Sequence, residues 1–217
     1  MRVIGGFLGS RRLVAPSSGV RPTSDRVREA VFAHLGELSG LRVLDLYAGT
    51  GSLGIEAISR GAQDAVFVER AAQSLRALNA NLSSLGIGDR TRVLRGDVCR
   101  CVRRLGREEE RFDLVFLDPP YASSQESERA AAAIVDAKLL AEGATLVFEL
   151  PKRHSLAPIS GLVVGERRSY GDTAIELAVQ TQDGISSDPV KREPSRQSRA
   201  REDRRRMEQH REGGENG

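Results

Sequence analysis

Cysteine and histidine are scarce in this chain, and long apolar runs are missing. Cys99 and Cys101 are the only cysteines, and a pair one residue apart builds neither a disulfide framework nor a four-ligand metal site. They read as reduced, structural thiols. His34, His154 and His210 are scattered without a neighbouring ligand pattern, so no metal is expected. No stretch approaches the ~20 apolar residues that span a bilayer, and the N-terminus lacks a secretory apolar core. A cytoplasmic chain with no membrane contact is therefore expected. Acidic residues are absent before Pro22, where Arg2, Arg11, Arg12 and Arg21 stand alone. A basic local surface follows, although the net charge of the whole chain is only +3.

What is present suits one globular domain with appendages. The 217 residues are 39% hydrophobic with 22 Gly and 8 Pro, enough to bury a core without staples. Residues 1–14 alternate short apolar pieces with a Gly-rich centre and arginines, which predicts a β-hairpin with a basic face. Thr23, Ser24 or Asp25 can cap a helix whose apolar residues recur at helical spacing to about Leu38. Arg21, Arg26 and Arg28 lie in its lead-in and first turns, against the helix dipole, as residues facing a phosphate or carboxylate would. Residues 1–40 thus form an N-terminal extension.

From Leu41 the pattern alternates. Strands are predicted at Arg42–Tyr47, Ala65–Glu69, Thr91–Arg95, Phe112–Leu117 and Thr145–Leu150, separated by helices at Gly51–Arg60, Ala71–Leu85, Val98–Arg107 and Ser127–Leu140. Two further strands, near Val163–Arg168 and Ala174–Val179, suit an antiparallel edge hairpin. The expectation for residues 41–182 is an α/β fold, a Rossmann-like, doubly wound, mostly parallel sheet of about seven strands. Residues 183–217 carry nearly balanced basic and acidic residues and almost no large apolar ones. Such a charged tail cannot offset its ordering entropy and is expected to be disordered.

Three strand ends carry ligand-binding signals. The first runs into Asp45-Leu46-Tyr47-Ala48-Gly49-Thr50-Gly51-Ser52-Leu53-Gly54, where Gly49, Gly51 and Gly54 satisfy G-x-G-x-x-G and permit close backbone approach to a ligand. Glu69 ends the second strand, where an acid accepts hydrogen bonds from ribose hydroxyls. Asp97 follows the third, where its carboxylate or the next amides meet an adenine amino group. Nicotinamide dinucleotides and S-adenosylmethionine both fit such a set. Asp45 separates them, because an acid beside a pyrophosphate repels it, whereas it can orient the loop and meet a cationic amino-acid moiety.

The fourth strand decides between them. It ends in Asp118-Pro119-Pro120-Tyr121, a stiff turn offering a carboxylate, a free carbonyl and a ring around a planar substrate. A dehydrogenase has no use for that set; methyl transfer to an exocyclic amino group has. Asp45–Gly54 together with Asp118–Tyr121 resembles the class I S-adenosylmethionine-dependent methyltransferases that act on amino groups. Arg21-Pro22-Thr23-Ser24-Asp25-Arg26-Val27-Arg28-Glu29-Ala30-Val31-Phe32, preceded by Ile4-Gly5-Gly6, resembles the bacterial 16S rRNA guanine-N2 methyltransferases of the RsmD family over residues 1–180.

That resemblance implies methyl transfer to the N2 of a guanine in 16S rRNA within a 30S particle, by a monomer using S-adenosylmethionine. Asp118 and Pro119 then accept the two N–H bonds, Pro120 stiffens the turn and Tyr121 stacks on the base. Asp45, Ala48, Gly49, Gly51, Gly54, Glu69, Asp97 and Asp118 form the cofactor side, and Arg2, Arg11, Arg12, Arg21, Arg26 and Arg28 the rRNA contacts. Adenine-N6 methylation is the alternative, since the tetrapeptide is shared with adenine enzymes. A nicotinamide-dependent oxidoreductase and a non-catalytic ribosome-assembly factor are more distant ones.

Overall fold

β-branched and aromatic runs alternating with amphipathic segments build a doubly wound α/β sheet in the computed structural model, which describes residues 1–15, 24–119 and 124–180. The elements are α1 (Asp25–Leu35), β1 (Arg42–Leu46), α2 (Ser52–Ser59), β2 (Asp64–Glu69), α3 (Ala72–Leu85), β3 (Thr91–Arg95), α4 (Val98–Arg107), β4 (Phe112–Leu117), α5 (Ser124–Asp136), β5 (Leu140–Pro151), β6 (Leu162–Tyr170) and β7 (Thr173–Gln180). The sheet runs β3-β2-β1-β4-β5-β7-β6. The first five strands pair in parallel, and β7 lies antiparallel between β5 and β6. The seven-stranded sheet and its antiparallel edge are those the sequence predicts. The charged tail predicted for 183–217 lies outside the described residues.

β1 and β4 are buried on nearly every residue, as central parallel strands covered on both faces must be. One hydrophobic cluster packs α4 and α5 residues such as Val102, Leu105 and Ile134 against Val115 and Leu117. The other packs α1 to α3, through Phe32, Ile58 and Leu78, against Val43, Phe67 and Phe116. Val3, Leu8 and Leu13 of the N-terminal extension join this second cluster.

Two helix ends differ from the sequence reading. α1 starts after Ser24, whose side chain accepts Val27 N, and stops at Leu35 because Gly36 turns at φ 70°, short of the expected Leu38. α5 spans Ser124–Asp136 rather than Ser127–Leu140. Lys138 adopts φ 54°, reversing the chain so that Leu140 enters β5. Helical periodicity persists through both ends, but a left-handed residue ends the helix whatever the period.

The basic hairpin at the N-terminus is reduced to one antiparallel bridge, Arg2↔Arg12, with Val3 N donating to Arg11 O and Ser10 N to Val3 O, each at 2.9 Å. It is held by side chains of the domain instead. The buried carboxylate of Glu56 accepts Ile4 N at 2.7 Å and Gly5 N at 2.8 Å. Leu8 N donates to Ser59 Oγ at 3.0 Å and Phe7 N to Ser59 O at 2.9 Å. Gly6 sits so close that a Cβ on it would meet Ser59 O at 1.8 Å. The extension is thus fixed to α2, the helix that follows the glycine turn.

Glu56→Ala should strand two part-buried amides and the Arg60 guanidinium, and cost about 2–4 kcal/mol of stability in urea unfolding. Glu56→Gln, which keeps one acceptor, should cost less. A loss under about 1 kcal/mol for the alanine variant would show that other contacts hold the extension.

Candidate active site

The strand order changes direction between β1 and β4, so their C-terminal ends flank the crevice where open α/β sheets bind ligands. The register sets what meets there. Asp45 and Leu46 pair with Phe116 and Leu117 on one side and with Phe67 and Val68 on the other. The next row, one residue further along each strand, is Asp118, Tyr47 and Glu69. Glu69 pairs in turn with Arg95, two residues before Asp97. The four strand-end acids expected from sequence therefore lie along one sheet edge.

Between β1 and α2 the backbone makes a left-handed turn. Tyr47, Gly49 and Gly51 have φ of 60°, 55° and 83°, and Gly51 N closes the turn onto Ala48 O at 2.7 Å. Ala48 N donates to Val68 O at 3.0 Å. The glycines serve different needs. A Cβ on Gly51 would lie 2.4 Å from Leu78 Cδ1, and one on Gly54 would lie 2.4 Å from Phe67 Cε1, so these two let the helix pack down on the sheet. At Gly49 the nearest atom to such a Cβ is Tyr47 O at 4.0 Å. Gly49 is the position with room for a ligand against its backbone.

Two carboxylates hold this turn. Asp45 Oδ2 accepts Gly54 N at 2.9 Å, and Glu69 Oε2 accepts Gly49 N at 2.8 Å. The other Glu69 oxygen accepts Arg70 N at 2.6 Å and Ala71 N at 2.7 Å, capping the entry to α3. Oε2 keeps a second lone pair for an added donor. Asp45 is only 1% exposed, so it supports the loop from beneath. Burial, with the Glu69 charge nearby, pushes its carboxyl up to about 7 despite the bond from Gly54. Asp97 is the N-cap of α4, accepting Arg100 N at 3.1 Å, and stays exposed.

On the β4 side, Asp118 is half-buried and Pro119 buried. Pro120 and Tyr121 lie outside the described residues, as does Arg21. Arg2, Arg11, Arg12 and Arg26 are exposed. Arg28 corrects the sequence reading: it is fully buried and faces no solvent. Its Nη2 donates to Asp25 Oδ1 at 2.6 Å and Arg2 O at 2.8 Å. It joins α1 to the N-terminal segment, and Asp25 offsets the charge that the helix dipole opposes. An arginine in a first turn points outward only if that face of the helix is free, and here the extension covers it.

Sequence reasoning missed three supporting residues. Asn81, fully buried on α3, donates to Thr50 O at 3.0 Å in the glycine turn and accepts Val14 N at 2.7 Å. It clips turn and extension together. Glu56 is the second, and no motif marks either residue. Tyr47 is the third: burial first, then the nearby charge of Glu126 and the Cys99 and Asp97 groups, raise its hydroxyl far above the usual phenol range. It stands in the β1 turn on the side of Glu126, in the first turn of α5. Its position before Ala-Gly-Thr-Gly was a visible signal, but its left-handed backbone was not.

The chain matches the family described as Conserved hypothetical protein 95 over residues 1–179. YlbH of Bacillus subtilis is 35% identical over 181 residues, covering 82% of this chain and 97% of YlbH. The ribosomal RNA small subunit methyltransferase D of Haemophilus influenzae is 32% identical over 179 residues, 82% of this chain and 92% of its own. Among solved structures, yhhF from Escherichia coli is similar with a TM-score of 0.74 and 30% identity, over 83% of this chain and 97% of that one.

The raised Asp45 carboxyl sets a pH dependence. Its folded value of about 7 lies above the ordinary 3.8, so between those pH values the folded chain binds more protons than the unfolded one. Stability from this group therefore falls as pH rises from about 4 to about 7 and is flat above, with a slope of roughly 1.4 kcal/mol per pH unit inside that window. Asp45→Asn removes the effect. Urea unfolding without added ligands, taken as wild type minus variant, should fall across that window; a flat difference would mean that burial does not oppose ionisation of Asp45.

Proposed function

The chain belongs to the family of Conserved hypothetical protein 95, the RsmD-like methyltransferases, and from that membership we propose that it methylates the exocyclic N2 of a guanine in small-subunit rRNA. The observation that carries this reading is the pairing of β1 with β4, which sets the glycine turn beside Asp118 and Pro119. A methyl donor held at the first would lie beside an amino acceptor held at the second. The name of the Haemophilus relative supports rRNA as the substrate, and the 16S rRNA of a 30S particle or its precursor is the form we favour.

The chain's own residues fit S-adenosylmethionine. Gly49 offers open backbone, Glu69 Oε2 a remaining acceptor for ribose hydroxyls, and Asp97 or the following amides a partner for the adenine amino group. Asp45 and Ala48 keep the turn in shape. When bound, this cofactor supplies an electrophilic methyl group.

The acceptor nitrogen is a poor nucleophile, because its lone pair is delocalised into the purine. The Asp118 carboxylate and Pro119 carbonyl accept its two N–H bonds, leaving the lone pair directed at the donor; such positioning is worth several kcal/mol. Asp118 is also the carboxylate placed to hold the proton that the nitrogen gives up. Pro120 keeps the turn stiff, and Tyr121 stacks on a base splayed out of its helix. Arg2, Arg11, Arg12, Arg21 and Arg26 meet rRNA phosphates. Arg28 has no part in that surface.

Asp118→Ala and Asp118→Asn should each lower methyl incorporation into small-subunit rRNA by about a hundredfold or more, with S-adenosylmethionine binding retained in calorimetry. Wild-type rates in either variant would refute the site. Nuclease digestion and mass analysis of the labelled nucleoside should give N2-methylguanosine; N6-methyladenosine would replace the guanine reading with the adenine one.

A further inference from the structure

Outside the crevice, the free edge of the sheet carries arginine on both faces. Arg95, Arg100, Arg103, Arg104 and Arg107 line an open groove of about 890 Å³ along α4, with Asp97 of the candidate cofactor side lining one part of it. Across β3, a second hollow of about 400 Å³ is lined by Arg76 of α3 and again by Arg95. Arg95 joins the two. α4 packs on the core through Val98, Cys101, Val102 and Leu105, and its arginines are exposed.

Internal ion pairs account for little of this charge. Arg104 is matched by Glu108 at 2.8 Å, while Glu108 and Glu110 also engage Arg92. Arg76, Arg95, Arg100, Arg103 and Arg107 make no ion pair among the described residues. Basic side chains do protect an edge strand from pairing, and Arg107 suits a helix C-terminus. Neither reason covers Arg100, in the first turn of α4 where the dipole opposes it, or Arg76 on α3.

We propose that this arginine track is a second contact for the phosphate backbone of the RNA substrate, passing round the β3 edge from α3 to α4. The inference rests on the RNA reading given above and adds a surface to it. Guanidinium forks match phosphate oxygens in bidentate geometry, and a concave groove follows a strand as a flat lipid surface would not. Among the described residues the large exposed apolar side chains, Phe7 and Val14, lie on the N-terminal segment and not along this edge. The basic extension is fixed to the helix that carries Arg76, because Val14 N donates to Asn81 Oδ1.

The test uses the full chain with Arg76→Gln, Arg103→Gln and Arg107→Gln combined, and protein-free small-subunit rRNA as the probe. Fluorescence anisotropy across a salt series should show affinity lower by roughly ten- to hundredfold and a salt slope smaller by about two to three. S-adenosylmethionine affinity and the thermal midpoint should not move, and the matching triple lysine variant should keep the wild-type slope. If the triple glutamine variant is unstable, the Arg103→Gln, Arg107→Gln pair should still reduce the slope by about one to two. An unchanged slope in the variants, where the wild-type enzyme methylates rRNA, would overturn this inference alone. Failure of the wild type both to bind and to methylate rRNA would remove the RNA reading with it. Displacement of bound RNA from the track by an acidic polypeptide at lower concentration than by competing RNA would assign the track to a protein partner and overturn the proposal.

Discussion

The site depends on a pair of carboxylates that hold a left-handed turn. When a buried strand bends sharply into a helix, the amides at the bend lose their sheet partners before the helix can supply new ones. Here Asp45 takes the amide of Gly54 and Glu69 takes that of Gly49. Each acid comes from a different strand, so the loop is referenced to the sheet twice. The cost of holding Asp45 in the interior is visible in its raised proton affinity.

Everything around the crevice is tied to that turn. α2 follows it directly, and through Glu56 and Ser59 it carries the N-terminal segment. Asn81 bonds the turn and the same segment from α3. Tyr47, inside the turn, is half-buried, and the charge of Glu126 bears on its hydroxyl. The glycine turn and the N-terminal extension are thus positioned by side chains that meet at one loop. Rigid support of this kind is what a reaction limited by the orientation of a weak nucleophile requires.

Folding sorts the arginines in a way their order along the chain does not foretell. Those before Pro22 and those of α1 look alike in sequence, but Arg28 is interior while Arg26, two residues earlier, is exposed. A helical step of two residues turns the side chain through more than half a circle, so neighbours in one motif divide between core and surface. The arginines of α4 did not stand out in sequence, because acids follow closely at Glu108, Glu109 and Glu110. The fold directs Glu108 and Glu110 to Arg92 and Arg104 and leaves Arg100, Arg103 and Arg107 together in one groove.

Local patterns along the chain carry the strand and helix order, the parallel sheet with its antiparallel edge, the glycine turn and the row of strand-end acids. These follow from local periodicity and from residues whose local demands act wherever they occur, such as glycine at the left-handed φ of Gly51. Tertiary structure decided where helices stop, which arginines face solvent, and that Asn81, Glu56 and Tyr47 support the site. Those outcomes depend on contacts between residues dozens of positions apart, and on left-handed backbone at Tyr47 and Lys138, which no side-chain pattern encodes.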